Sequence, residues 1–425
     1  MRELHYPQVF ERMYEQALDN GLMVRVIPKP GFSRKYAFLA VNYGSMDTHY
    51  SIGGTSFRSP DGVAHYLEHK MFDMPRGNVM QEFAARGANP NAFTSYSMTA
   101  YYFDCTDDFD DNLRLLLDYV STPYYTQESV EKERGIIAQE IKMYEDSPSS
   151  QVYEQLFAAM YRHHPVRVPI AGTVESIAEI SARTLEECYH AFYTPGNMCL
   201  CVVGDVDPEL VLHRAEEILP RQSRPAALRD YGPAETLGGG PRRVSREMEV
   251  SMPMFMLGFQ CPPASGPVEV MRGEMLGDLA AELLMGEASP LYAALYERGL
   301  IDAGFSVGYE GMRGVSLLVA SGDSRDPEAV SAAILDECAR LTREGADEAL
   351  FQRLKRSALG RRLRDLDSFE SICFRQCSYY FDRAEYFTFP SVYETISLED
   401  TLAFLRDNVT ERRSGLSVIA APEGE

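Results

Sequence analysis

Apolar positions along this chain follow strand-like and helix-like spacing by turns, and the order of the resulting elements occurs twice. In the first half the apolar run "KYAFLAVNYGS" (35–45) predicts a strand, followed by a helix over about 61–73 in "DGVAHYLEHKMF". Next come "NVMQEFAARGANPNAFTS", a strand in "TAYYFDCT", and helices over about 108–121 and 128–146. In the second half "MPMFMLGFQCP" (252–262) predicts a strand before an apolar helix near 271–286. There follow "SPLYAALYERGLIDAGFSV", a strand in "GVSLLVASGD", and helices near 326–343 and 347–365. Two passes through one order indicate an internal duplication. The predicted class is α+β, with two homologous domains, each a mainly antiparallel sheet backed by helices.

Residues 219–243, "LPRQSRPAALRDYGPAETLGGGPRR", show neither period and are rich in Pro, Gly and Arg, which predicts a linker between domains 1–218 and 244–425. A length of 425 residues also exceeds what one core usually supports. Hydrophobic content of 45% and charged content of 24% suit a globular chain. A net charge of −22 repels phosphate backbones and anionic lipid surfaces, so neither nucleic acid nor membrane is an expected partner. The N-terminal stretch "MRELHYPQVFERMYEQ" is charged, and no long apolar run follows, so a cytoplasmic location is expected. The eight cysteines form no CxxC or zinc-ribbon pattern and are expected to be reduced and mostly buried.

One helix changes this picture. His65 and His69 stand four residues apart, on one helical face, with Glu68 beside them. Two imidazoles so placed can grip one ion, and a carboxylate next to the open position can serve as general base. The alternative is a surface helix with chance polar residues. The matching helix of the second half, "RGEMLGDLAAELLMG", has no histidine. A third ligand is offered by "ESVEKERGIIAQEIKMYED" (128–146), where Glu133 and Glu140 are seven residues apart on one face and Val130, Ile136, Ile137 and Ile141 form an apolar stripe. Such a pair suits one ligand and one carboxylate that orients a histidine; alone, the helix would read as a solvated charged face. His163 and His164 are neighbours before a proline, point apart on a turn, and are not expected to bind metal. "GGTSFRSPDG" (53–62) lacks the spacing of a phosphate loop.

The HxxEH helix followed by "ERGIIAQE" resembles the M16 metallopeptidases, the inverted zincins that include insulin-degrading enzyme, pitrilysin and the mitochondrial processing peptidase. The resemblance runs on through "NPNAFTSYSMTAYYF", "HPVRVPIAGTVESIAEIS" and "FYTPGNMCLCVVGDVDPELV". It is strongest toward short two-domain bacterial members, in particular the zinc-bearing chain of paired M16 proteins, with a fold of the LuxS-like metallohydrolase type. It implies one zinc ion per chain held by His65, His69 and Glu140, with Glu68 as general base and Glu133 as the supporting carboxylate of the catalytic set. It implies, too, that Asn91, Ala92 and Thr94 lie on an edge strand that takes an extended substrate, although an ordinary protected edge would read the same way. The implied activity is a zinc metalloendopeptidase cleaving short or unfolded peptides inside a cavity made with a second M16 chain.

The second half departs from the family pattern. Where many members carry an Arg and a Tyr, this chain has Tyr296, with Arg298 two residues on, and Phe305 or Ser306. The expectation is therefore a heterodimer whose homologous partner supplies that pair, a homodimer being the less equipped arrangement. The rival expectation is a non-catalytic scaffolding subunit of an M16 complex. The physiological peptide is not specified by these residues.

Overall fold

The computed structural model describes residues 1–238 and 243–422, so residues 239–242 of the expected linker lie outside the described residues. The chain divides into two compact units. Unit 1 consists of Met1–Ile141, Pro169–Tyr231 and Leu363–Thr388; unit 2 consists of Lys142–Val168, Gly232–Arg362 and the residues from Phe389 on.

Unit 1 is built on a seven-stranded sheet in the order Arg2–Tyr6, Glu11–Ala17, Met23–Pro28, Met198–Gly204, Lys35–Val41, Thr99–Cys105, Asn89–Thr94. All neighbours are antiparallel except Met23–Pro28 with Met198–Gly204. Strand Met198–Gly204 is buried at every position, as a strand covered on both faces must be. Alternation sorts its side chains. Leu200 and Val202, with Leu39 and Val41 of Lys35–Val41, join Leu67, Leu113 and Leu185 in the main core under the helices Val63–Met71, Phe109–Ser121 and Ala182–Phe192. Cys199 and Cys201 face the other way, toward the helix Phe369–Phe381, whose Cys377 and Cys373 thiols donate to their carbonyls at 3.9 and 3.6 Å.

Unit 2 has a five-stranded sheet in the order Arg243–Glu247, Ser414–Ala420, Met254–Gln260, Val315–Asp323, Ser306–Met312. Its first pair is parallel and the rest are antiparallel. This repeats the last five strands of unit 1 in order and sense, so the duplication read from the hydrophobic pattern is present as topology. The helix Pro267–Met285 packs along the edge strand Ser306–Met312, and Pro148–Met160 packs on Ser414–Ala420 and Met254–Gln260. One helix in each unit is thus contributed by the other half of the chain: Phe369–Phe381 in unit 1 and Pro148–Met160 in unit 2.

Residues 219–238 of the expected linker are more structured than their composition predicts. Leu228–Arg229 pairs with the strand His49–Ile52, and Arg229 reaches buried Asp47 at 2.9 Å, while in unit 2 the Glu235 carboxylate accepts the backbone N–H groups of Arg162, His163 and His164. His163 and His164 accordingly sit in a loop tied by its backbone, and the His164 ring accepts from the Val166 N–H at 3.2 Å. All eight cysteines are buried and unbridged. No helix of the described residues is long and apolar enough to cross a membrane.

Candidate metal centre

The helix Val63–Met71 begins at Gly62, whose φ of +86° suits glycine and whose missing side chain lets the chain cross residue 171 closely: a Cβ there would stand 2.3 Å from the Ala171 carbonyl oxygen. The helix buries Val63, Ala64, His65, Tyr66, Leu67, Lys70 and Met71, and this fixes its rotation. His65, Glu68 and His69 gather on one side, His65 buried and the other two half-buried. The second helix, Gln127–Glu145, buries Val130, Ile137 and Ile141. Ile136, expected in the same stripe, is 48% exposed, because it stands 100° round the axis from Ile137. The Tyr66 hydroxyl donates to the Val130 carbonyl and joins the two helices. Nothing local in the sequence signals that contact, since the partners are 64 positions apart.

The two helices bring Glu140 between the histidines. His65 Nε2 lies 3.5 Å from Glu140 Oε1, and His69 Nε2 lies 3.4 Å from Glu140 Oε2. The imidazole rings are 4.7 Å apart at their centroids. One donor atom from each of the three residues falls within 4.8 Å of the others, and this is the one such group among the described residues. The spacing matches the edge of a tetrahedron around a zinc ion, about 3.4 Å for bonds of about 2.0–2.1 Å, and is longer than a good charge-assisted hydrogen bond of about 2.7–2.9 Å. Glu133 accepts from His69 Nδ1 at 3.0 Å, which turns the other ring nitrogen toward Glu140. Burial disfavours a charged His69, yet its bonds to Glu133 and Glu140 outweigh that and raise its pKa to about 10. Positive charge is favoured at this point. Two imidazoles, one carboxylate and a carboxylate behind His69 fit a zinc ion with a position left for water.

Glu68 lies next to this group. Burial raises its pKa above the ordinary carboxylate value, against the lowering influence of His65, of a hydrogen bond from Thr94 and of His69. The Thr94 hydroxyl to Glu68 Oε2 distance is 2.6 Å. That contact was not legible in the sequence, where Thr94 figured only as part of an edge strand. Asn91, Ala92 and Thr94 do lie on Asn89–Thr94, the last strand of its sheet, opposite Tyr102, Tyr101 and Thr99. Asn91 turns its side-chain oxygen to the Ala92 N–H at 2.9 Å.

The second unit holds no equivalent of these donors among the described residues. Tyr296 is 53% exposed and stacked on Tyr292, and Arg298 ends the helix Pro290–Glu297. Phe305 is buried against Phe255 and Tyr292, and Ser306 hydrogen-bonds across the sheet to Ser321 at 2.9 Å.

Residues 39–174 match the family described as Insulinase (Peptidase family M16), and residues 179–358 match the Peptidase M16 inactive domain. A Bacillus subtilis protein named uncharacterized zinc protease YmfH is 36% identical over 424 residues, covering 97% of both chains. The solved structure of an M16-like peptidase from Alicyclobacillus acidocaldarius superposes with a TM-score of 0.92 at 33% identity, over 97% of this chain and 98% of that one. Pitrilysin shares the fold at 17% identity, with a TM-score of 0.77 over 100% of this chain and 47% of the pitrilysin chain. With both halves matched and a relative aligned over nearly the whole length, the chain belongs to the M16 family of peptidases.

Proposed function

We propose that this chain is a zinc metalloendopeptidase, with His65, His69 and Glu140 as ligands and Glu68 as the general base. The observation that carries the reading is the convergence of two His Nε2 atoms on the two oxygens of Glu140 at 3.5 and 3.4 Å. When bound, zinc would supply Lewis acidity, polarising the scissile carbonyl and acidifying water. Glu68 takes the proton from the attacking water and returns it to the leaving amine; a carboxylate whose pKa is raised by burial is suited to both steps. Glu133 holds the His69 ring through Nδ1. The strand carrying Asn91, Ala92 and Thr94 is the last of its sheet, an edge to which an extended peptide can add its backbone, and this favours short or unfolded substrates.

The lack of an Arg/Tyr pair at Tyr296 and Phe305 favours a heterodimer, in which a homologous M16 chain completes the cavity and grips the substrate. Pitrilysin, a chain of about twice this length by coverage, supports a second M16 half in that place. Unbridged cysteines favour a reducing compartment and hence the cytoplasm. The same missing pair also supports the second reading, a scaffolding subunit without turnover. Metal analysis and digestion of a peptide library, with and without a homologous partner chain, separates them. One zinc per chain and cleavage support the peptidase; zinc without cleavage in either arm supports the scaffold. Adding the partner is expected to raise kcat/KM by about 100-fold or more, in the range of a restored oxyanion donor.

A further inference from the structure

The contact between Thr94 and Glu68 joins the edge strand to the helix Val63–Met71, and peptide docking does not account for it. A carboxylate only accepts, so the Thr94 hydroxyl is the donor. A length of 2.6 Å falls in the strong range for an O–H donor to a carboxylate, about 2.5–2.7 Å. Strand pairing and packing, not a second hydrogen bond, hold the hydroxyl in place, because its one proton and that of Thr99 are both committed elsewhere. Thr94 stands directly across the sheet from Thr99, with their Oγ1 atoms 3.4 Å apart, and the wholly buried Thr99 donates to the Tyr43 carbonyl at 2.9 Å. Both residues are β-branched and stiff at χ1.

We infer that Thr94 is a positioning residue for Glu68: its hydroxyl occupies one oxygen of the carboxylate and aims the other. The inference rests on the reading of Glu68 as general base. A hydroxyl committed to Glu68 does not donate to the peptide, so the part of Thr94 in substrate binding is confined to its backbone. The strand that would register the peptide and the group that would act on it are then linked by one hydrogen bond, which fixes the distance between a docked peptide bond and the base.

Thr94→Val removes the donor and keeps the shape. With zinc held at one per chain by metal analysis, kcat is expected to fall about 10- to 100-fold, the loss of one hydrogen bond to a charged group, with KM within about twofold. Thr94→Ser restores the donor without the stiff branch and recovers most of kcat. In a Glu68→Gln background, where no base is left to aim, Thr94→Val is expected to lower the residual rate by much less than it lowers kcat with Glu68 present, and the two substitutions are then non-additive. A raised Kd or KM with kcat preserved would make Thr94 a substrate contact and overturn the inference, as would loss of zinc in Thr94→Val or failure of Thr94→Ser to recover. If Glu68→Gln abolishes turnover while Thr94→Val behaves as wild type, the positioning role alone fails. If Glu68→Gln turns over like wild type, the assignment of the base fails with it.

Discussion

At the scale of single residues, each acidic group beside the histidines is distinguished by what it touches. Glu140 faces two ring nitrogens, Glu133 faces the far nitrogen of one ring, and Glu68 faces a hydroxyl. Glu68→Gln is therefore expected to keep one zinc per chain while kcat drops by at least about 100-fold, as for loss of a general base. Glu140→Ala or His65→Ala is expected to lose the metal as well; zinc retained at full stoichiometry in Glu140→Ala would remove it from the ligand set. Residue burial also sets thiol chemistry. All eight cysteines are buried, so a thiol reagent is expected to find none readily in the native chain and eight after denaturation. Histidine spacing was readable from the sequence because four residues on a helix is a geometric rule. The Thr94 and Tyr66 contacts were not, because each joins residues 26 and 64 positions apart through the fold.

At the scale of elements, the two helices owe their placement to packing as much as to their own propensities. Glycines 62 and 172 carry φ of +86° and +73° where their backbones cross, and a Cβ on Gly172 would stand 2.6 Å from the Asp61 carbonyl oxygen. Gly62→Ala is expected to combine backbone strain with a backbone clash at the start of the HxxEH helix, destabilising by about 2–5 kcal/mol. Thermal unfolding checks the stability change, and zinc content checks the centre. The helices were legible because their apolar spacing is periodic, and their observed ends, Val63–Met71 and Gln127–Glu145, fall within a few residues of expectation. The exposure of Ile136 was missed because a run of adjacent apolar residues does not say which of them the neighbour covers.

At the scale of the whole molecule, the units do not follow the two halves of the chain. Unit 1 includes Leu363–Thr388, and the helix Phe369–Phe381 covers one face of its sheet. A fragment ending at residue 238 would leave that face bare and is expected to aggregate or to lack a cooperative transition in circular dichroism, whereas the full chain melts as a folded protein. A soluble, cooperatively folding fragment would show that the helix is dispensable. By itself the sequence determined the α+β class, the duplication, the HxxEH helix and the pair Glu133 and Glu140, because periodicity, and a ligand spacing within one helix, are local properties of a chain. Only the tertiary structure decided that Glu140 meets both histidines, that Thr94 reaches Glu68, and that each half lends a helix to the other's sheet. Those are distances between segments far apart in sequence, set by which apolar faces find cover, and no local pattern encodes them.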